Sequence, residues 1–332
     1  MSRRRVLITG ITGQDGGYLA EQLLAAGDEV IGTVRQPDGA LDAAGLGQLA
    51  GRVTLLRADL LDPDSVRRAI AEAQPQEIYH LAAPTFVPDS WDDPSAVIAA
   101  VATGTATVLA AAGGLGDDVR VLVASSSEVF GDAGVSPQSE RSPMRPRSPY
   151  GVAKLAAHGL VGTLRARHGR FLVSAITFNH ESPRRPERFL PRKVSAGVAA
   201  IAAGRADSLT LGDLSAVRDW SDARDVVDGL VRALRHDEAG DYVFASGIPH
   251  TVGDLVDAAF AAAGIDRSVP DASAPDGLRD RILVDPRFVR PPERWPPVGD
   301  PSKARERLGW RPSRSFEQLV SEMVEADLAR LA

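Results

Sequence analysis

The sequence contains no cysteine. That absence excludes disulfide bonds, thiolate metal sites, a thiol nucleophile and redox control through cysteine. The six histidines include no close pair at the spacing with which a helix presents metal ligands. We therefore predict no metal site.

Long apolar runs and an excess of positive charge are also missing. No stretch approaches the ~20 consecutive apolar residues of a membrane-spanning helix, and the arginines at positions 3 to 5 lead into a short apolar run without a signal-peptide cleavage site. We expect a cytoplasmic protein with no membrane partner. A formal net charge of −6 argues against a nucleic-acid partner, since phosphate recognition needs a concentrated basic face.

Strand-like and helix-like segments alternate through the first half of the chain. Short runs rich in β-branched residues alternate with alanine- and leucine-rich stretches. The predicted strands are 6–8, 29–34, 53–56, 77–81, 120–124 and 173–178, and the predicted helices are 18–26, 64–73, 94–112 and 150–167. This rhythm predicts an α/β fold with a Rossmann-type, doubly wound parallel sheet, because parallel strands need crossover helices.

A second, smaller α/β lobe is predicted where this rhythm ends. Prolines at 183, 186 and 191 interrupt the pattern. A later helix over 222–234 and a strand over 242–245 look like elements that return to the first lobe. We therefore predict a first lobe of residues 1–180 plus about 220–247, and a second lobe of about 181–219 plus 248–332.

Glycines follow the first strand at a spacing that suits phosphate binding. Gly10, Gly13 and Gly16 stand between the strand and the start of a helix, where they allow a tight turn and close approach of a pyrophosphate to the helix N-terminus. The alternative is an ordinary glycine-rich turn. The predicted dinucleotide-binding residues of this turn are Gly10, Thr12, Gly13, Gln14, Asp15 and Gly16.

Two positions after later strands indicate which dinucleotide binds. Arg35 ends the second strand, where an acidic residue would hold a ribose 2′-hydroxyl. An arginine suits a 2′-phosphate, so NADP is favoured and NAD remains possible. Asp59 is placed to accept a hydrogen bond from the adenine amino group. The remaining predicted cofactor-binding residues are Leu60, Leu81, Ala82, Ala83, Tyr150 and Lys154.

Tyr150 and Lys154 form the predicted centre of the chemistry. A spacing of four places both on one helical face, where the ammonium can stabilise a phenolate. Lowering the pKa of a phenol from about 10 toward 7 takes about 4 kcal/mol, which a lysine and a positive nicotinamide ring can supply. Ser126 would bond the substrate oxygen. Together these residues predict hydride transfer at a hydroxyl-bearing carbon.

Glu128 adds a carboxylate that simple alcohol oxidation does not need. Beside a C4 ketone, a carboxylate can remove the C5 proton of a hexose while water leaves from C6. The alternative is a carboxylate that bonds backbone N–H groups at a helix start. The first interpretation predicts a dehydratase.

The segment Phe178 to Arg185 resembles the GDP-mannose 4,6-dehydratase family of the extended short-chain dehydrogenase/reductase superfamily. Further similar segments are 8–19, 146–154, 211–214, 218–220, 284–288 and 299–304. The resemblance implies that a GDP-hexose, GDP-mannose being favoured, is converted to its 4-keto-6-deoxy form by oxidation at C4, loss of water across C5 and C6, and hydride return to C6. It implies tightly held NADP, and a homodimer or homotetramer.

The same resemblance assigns roles to individual residues. The family's catalytic positions match Ser126, Glu128, Tyr150 and Lys154. The positions that contact the nucleotide sugar match Ser126, Glu128, Asn179, Lys193, Arg218, Arg290 and Glu293. Cations suit the diphosphate, and a carboxylate suits guanine or ribose. The first lobe would then bind NADP and the second the nucleotide sugar.

Three segments depart from the family's pattern. Arg35 is followed by Gln36-Pro37-Asp38, Pro84-Thr85-Phe86 replace a polar run, and Trp220 is followed by Ser221-Asp222. In the family, the second and third of these segments flank the sugar, so the sequence leaves open a different sugar or a different nucleotide as the substrate. A GDP-4-keto-6-deoxyhexose reductase or a nucleotide-sugar epimerase on the same fold is the alternative function.

Overall fold

The structure is a computed structural model that describes residues 3–265, 281–285 and 294–332. The strands are β1 (Arg5–Thr9), β2 (Glu29–Val34), β3 (Thr54–Arg57), β4 (Glu77–His80), β5 (Arg120–Ala124), β6 (Leu172–Thr177), β7 (Asn179–Glu181), β8 (Leu209–Leu211), β9 (Val217–Asp222), β10 (Asp241–Phe244), β11 (Pro249–Thr251) and β12 (Ile282–Val284). The helices are α1 (Gln14–Ala25), α2 (Ala40–Ala43), α3 (Pro63–Ala73), α4 (Asp89–Asp92), α5 (Pro94–Ile98), α6 (Gly104–Leu115), α7 (Pro149–His168), α8 (Leu190–Ala202), α9 (Ala223–Arg235), α10 (Val252–Ala262), α11 (Ser302–Leu308) and α12 (Phe316–Leu331).

Seven strands form one parallel sheet in the order β10-β6-β5-β4-β1-β2-β3. The strand order reverses between β1 and β4, and ligands of such sheets bind at this point, outside the carboxyl ends of the strands. The loops that follow β1, β4 and β5 open there. The predicted doubly wound parallel sheet is confirmed.

Helices cover both faces of this sheet, which explains why its strands read as nearly continuous apolar runs. On one face, Leu19 and Leu23 of α1 pack with Leu230 of α9. On the other face, Ile70 of α3 packs with Leu109 of α6. These two cores hold the carboxyl ends of the strands in fixed positions.

Among the described residues, one helical stretch, Pro94–Leu115, is long and apolar enough to cross a membrane by length and composition alone. It consists of α5, a π-helical turn over Ala99–Thr103, and α6. Val108, Leu109 and Ala112 are fully buried in the core against the sheet. Core helices of globular domains have the same composition, so the packing explains why this stretch is apolar.

The second group of elements packs around a separate core. It contains the sheet β11-β9-β7, the pair β12-β8, and helices α8, α10 and α12. The helix and strand predicted to return to the large sheet are α9 and β10, and β10 pairs with β6. The division into two lobes with the predicted boundaries remains a proposal.

A buried ion pair ties α8 to α12. The Arg192 Nε atom donates to both carboxylate oxygens of Asp327 at 3.0 and 2.9 Å, and the Ser195 hydroxyl donates to the same carboxylate at 2.7 Å. Arg192 also donates to the Arg185 carbonyl at 2.9 Å. The two charged side chains are only 8% and 4% exposed. This pair therefore anchors the arginine-rich segment before α8.

We expect Asp327→Ala to lower the free energy of unfolding by about 3–5 kcal/mol, because the buried Arg192 charge loses its buried partner and keeps only the exposed Glu187 carboxylate, 3.7 Å away. A guanidinium titration measures this change. Arg67→Ala, which breaks the exposed pair with Asp64, is the matched control and should cost under about 1 kcal/mol. An Asp327→Ala protein as stable as this control would contradict the assignment.

Candidate active site

The glycine turn after β1 packs tightly against the loop after β4. Gly10 has φ +75°, and a Cβ atom on it would lie 2.9 Å from the Ala82 Cα atom. A Cβ atom on Gly16 would lie 2.2 Å from the Gly10 carbonyl oxygen. Both positions therefore exclude side chains, as the sequence predicts.

Helix α1 begins at Gln14, earlier than the predicted start at residue 18. The reason is Gly13, which has extended backbone and is the N-cap, but which offers no side chain to bond the first N–H groups. These N–H groups are consequently available to an anion such as a pyrophosphate. Thr12 is half-buried beside them and Gly13 is exposed.

The other predicted cofactor-binding residues surround the same edge of the sheet. Arg35 is exposed directly after β2, and no ion-pair partner of it lies within the described part of the chain. Asp59 accepts from the Leu61 N–H at 2.9 Å through one carboxylate oxygen. Leu60, Leu81, Ala82 and Ala83 are partly exposed. A glycine cradle, free N–H groups and an unpaired cation fit a dinucleotide cofactor.

The side chains of Gln14 and Asp15 are already engaged by the segment after β6. Gln14 donates to the His180 carbonyl at 3.0 Å and accepts from the Ser182 hydroxyl at 2.8 Å. Asp15 lies 2.8 Å from the His180 Nε2 atom. The backbone N–H groups of Gln14 and Asp15 are free of these contacts and available for the cofactor role that the sequence predicts for them.

The contact between Asp15 and His180 is a partly buried ion pair. Burial opposes both charges, but the His180 imidazolium lowers the pKa of Asp15, and the Asp15 carboxylate raises the pKa of His180. The pair joins the glycine turn to β7. The sequence pointed to the segment 178–185 as distinctive but did not assign His180 or Ser182 to this contact.

The four predicted catalytic residues lie together at the carboxyl end of β5. Tyr150 and Lys154 are 6% and 5% exposed on α7. The Lys154 Nζ atom donates to the Ala124 carbonyl at 2.7 Å and lies 5.7 Å from the centre of the Tyr150 ring. The Ser126 hydroxyl is close enough to Tyr150 to lower the pKa of its phenol. The structure thus assembles the predicted hydride-transfer group.

Burial controls the protonation of this group. It raises the pKa of Tyr150 above its ordinary value, while the Ser126 hydroxyl and the charge of Arg185 lower it. Burial lowers the pKa of Lys154 to about 8, and the charge of Asp15 raises it. The protein alone therefore keeps Tyr150 protonated, and a further positive charge in the cleft is needed to make it a base.

Ser148 positions Glu128, and the sequence did not identify this residue. Its hydroxyl accepts from the Gly151 N–H at 3.0 Å as the N-cap of α7 and donates to the Glu128 carboxylate at 3.2 Å. The sequence feature that could have identified Ser148 as an N-cap is its position directly before Pro149 at a helix start. No backbone N–H within the described ranges donates to this carboxylate, which argues against the helix-capping alternative for Glu128.

Three of the predicted substrate residues, Asn179, Lys193 and Arg218, lie on the second group of elements, while Ser126 and Glu128 follow β5. Asn179 begins β7 and pairs with Trp220 of β9, the strand that also carries Arg218. Lys193 lies in the first turn of α8. Arg290 and Glu293 lie outside the described residues. Within the described residues, no group of three histidine or carboxylate side chains is placed to hold a metal ion.

We expect kcat/KM to fall as the pH rises through about 8, the value to which burial lowers the pKa of Lys154. Below that pH the ammonium is charged and can stabilise a Tyr150 phenolate; above it this charge is lost. A pH profile of kcat/KM reports groups of the free enzyme and measures this. Lys154→Arg keeps its charge to above pH ~12, so an alkaline limb unchanged in that variant would contradict the assignment.

Comparison with known proteins gives one consistent family. The sequence model of the family described as "GDP-mannose 4,6 dehydratase" matches residues 7–323. "GDP-mannose 4,6 dehydratase 2" of Caenorhabditis elegans is 38% identical, and the alignment covers 98% of this chain and 90% of that protein.

Solved structures agree with this fold. RMD from Pseudomonas aeruginosa, complexed with NADPH, is 26% identical with a TM-score of 0.80, covering 98% of this chain and 99% of that one. The UDP-glucose 4-epimerase of Thermus thermophilus, complexed with NAD, is 26% identical with a TM-score of 0.80, covering 97% of this chain and 98% of that one. The family model matches nearly the whole chain, and a relative that is 38% identical aligns with 98% of it. The structure also assembles Ser126, Glu128, Tyr150 and Lys154 in one place. The chain therefore belongs to the GDP-mannose 4,6-dehydratase family.

Proposed function

We propose that this protein is a nicotinamide-dependent lyase that converts a GDP-hexose, with GDP-mannose favoured, to the GDP-4-keto-6-deoxy sugar. The observation that carries the proposal is the Glu128 carboxylate beside Ser126, Tyr150 and Lys154 in a chain that matches the family over residues 7–323. Oxidation alone needs Ser126, Tyr150 and Lys154. The added carboxylate supplies the base for dehydration.

Each catalytic side chain has a defined role in this reaction. Ser126 bonds the C4 oxygen, and Tyr150 takes the proton of the C4 hydroxyl while the Lys154 ammonium stabilises the phenolate. A bound nicotinamide dinucleotide supplies the acceptor for the C4 hydride and its donor to C6. Glu128 takes the acidic C5 proton as the C6 hydroxyl departs, and later returns a proton to C5. Asn179, Lys193 and Arg218, with Arg290 and Glu293, would hold the nucleotide sugar.

NADP is the proposed cofactor, supported by Arg35, which is exposed directly after β2 and has no ion-pair partner among the residues that the structure describes. We expect Arg35→Ser to weaken NADP+ binding about tenfold, because a charge-assisted bond to the 2′-phosphate is lost, and to leave NAD+ binding nearly unchanged. Fluorescence titration of both dinucleotides measures this. Arg52→Ser is an exposed control that precedes the amino end of β3, away from the carboxyl ends of the strands. Equal effects on NADP+ and NAD+ would contradict the proposal.

Incubation with GDP-mannose tests the reaction. We expect product that has lost one water by mass spectrometry, with the alkaline absorbance of a 4-keto sugar and without added reductant. The alternatives give other results, since a reductase consumes external NADPH and an epimerase leaves the mass unchanged. Absence of product with any GDP-sugar would overturn the proposal.

We also propose a homodimer or homotetramer in the cytoplasm. Trp91, Ile98 and Val152 are 63%, 43% and 48% exposed on α4, α5 and α7, helices that contact each other. A second copy would bury this apolar surface. The absence of cysteine fits a reducing compartment. Light scattering of the wild type and an Ile98→Asp variant tests the assembly, and equal masses would count against this surface.

A further inference from the structure

Two loops from different parts of the fold meet through aromatic rings. The rings of Phe86 and Phe189 are in edge-to-face contact, with centroids 5.3 Å apart and planes at 83°. The Arg188 guanidinium lies 4.6 Å from the Phe86 ring and pairs with Asp89 at 2.9 Å. We call Phe86, Asp89, Arg188 and Phe189 the bridge. It joins the loop after β4 to the segment before α8.

The two loops that form the bridge also carry residues that surround the catalytic tyrosine. On one side, Ala83 and Val87 of the loop after β4 pack against the apolar cluster that contains Tyr150. On the other side, the Arg185 guanidinium lies 3.7 Å from the centre of the Phe189 ring, and its charge lowers the pKa of Tyr150. Both loops that form the bridge therefore border the cleft in which Tyr150 acts.

The proposed reaction places a special demand on such a cleft. Oxidation breaks the C4–H bond, sends the hydride to the oxidised dinucleotide and the O4 proton to Tyr150. Glu128 then takes the C5 proton as the C6–O bond breaks. The departing C6 hydroxide and the proton that Tyr150 took from O4 together make water. The hydride returns to C6, and C5 regains its proton. If the sugar dissociates before the hydride returns to C6, the cofactor remains in its reduced form.

We infer that the bridge retains the oxidised sugar in the cleft until the hydride has returned to C6. This inference rests on the proposed dehydratase function. Phe86 and Phe189 supply the main contact, because edge-to-face aromatic pairs and cation–π contacts keep their strength at partly buried sites. The pair of Arg188 with Asp89 is more than half exposed and contributes less. The four residues position the substrate and take no part in bond making.

The first test measures coupling in Phe86→Ala, Phe189→Ala and Arg188→Gln. We expect the two alanine variants to accumulate at least about tenfold more reduced nicotinamide per product than the wild type, seen by its near-ultraviolet absorbance, with a smaller rise for Arg188→Gln. Arg67→Gln, which also breaks an exposed arginine–aspartate pair, should match the wild type. The Phe86→Ala/Phe189→Ala double variant should uncouple no more than either single one, since both remove one contact.

The second test measures release without turnover. In a Tyr150→Phe background, stopped-flow tryptophan fluorescence should show about tenfold faster dissociation of GDP-mannose when Phe86 is also replaced by alanine. Unchanged coupling and unchanged release in folded variants would overturn the inference. A wild type that makes no product from any GDP-sugar would instead overturn the proposed function, so the two failures are distinct.

Discussion

Replacing Tyr150 by phenylalanine should lower kcat by about 10²- to 10⁴-fold, the usual contribution of a positioned general acid–base group. The hydroxyl whose pKa Ser126 lowers is then missing, and no other phenol replaces it at the carboxyl end of β5 within the described residues. Steady-state assays with GDP-mannose measure the change.

Two controls separate this loss of chemistry from a loss of structure. The phenylalanine keeps the ring that packs with Val97, Val101 and Ala157, so the denaturation midpoint should stay near that of the wild type. Tyr79→Phe removes another buried hydroxyl, 3.5 Å from Glu77 at the amino end of β4, and should retain kcat. Full turnover by Tyr150→Phe would contradict the assignment of Tyr150 as the group that takes the proton of the C4 hydroxyl.

Replacing Glu128 by glutamine should separate oxidation from dehydration. The amide keeps the size of the side chain and its contact with Ser148 but cannot take the C5 proton, so kcat for dehydration should fall about 10²- to 10⁴-fold. Oxidation at C4 should persist. A single-turnover experiment should therefore show reduced nicotinamide that accumulates instead of being reoxidised.

The control for this variant is Glu140→Gln. Glu140 is a partly buried carboxylate that accepts from the Val243 N–H at 2.8 Å, outside the catalytic group. It should leave the balance of oxidation and dehydration unchanged. Equal loss of oxidation and dehydration in Glu128→Gln would assign Glu128 to binding and not to the removal of the C5 proton.

The sequence predicted the large sheet well because local signals determine it. Strands β2 and β5 have the predicted bounds, since polar or turn residues flank each β-branched run. The spacing of Tyr150 and Lys154 was sufficient to place them on one face of α7. The start of α1 was predicted too late, because a glycine N-cap gives no side-chain signal.

Contacts between distant segments were beyond prediction. Asp15 and His180 are 165 residues apart, and Arg192 and Asp327 are 135 residues apart, so no local pattern links either pair. The pKa directions of Tyr150 and Lys154 depend on burial, which only the folded structure defines. The predicted roles of Arg290 and Glu293 lie outside the described residues and stay predictions.

The most direct test of the account follows the hydride itself. GDP-mannose that carries deuterium at C4 is incubated with the purified protein, and the product is examined by NMR and mass spectrometry. We expect a 4-keto sugar that has lost water and carries the deuterium at C6, with no net consumption of cofactor. Product without deuterium at C6, or deuterium recovered on free reduced nicotinamide, would contradict the internal redox cycle.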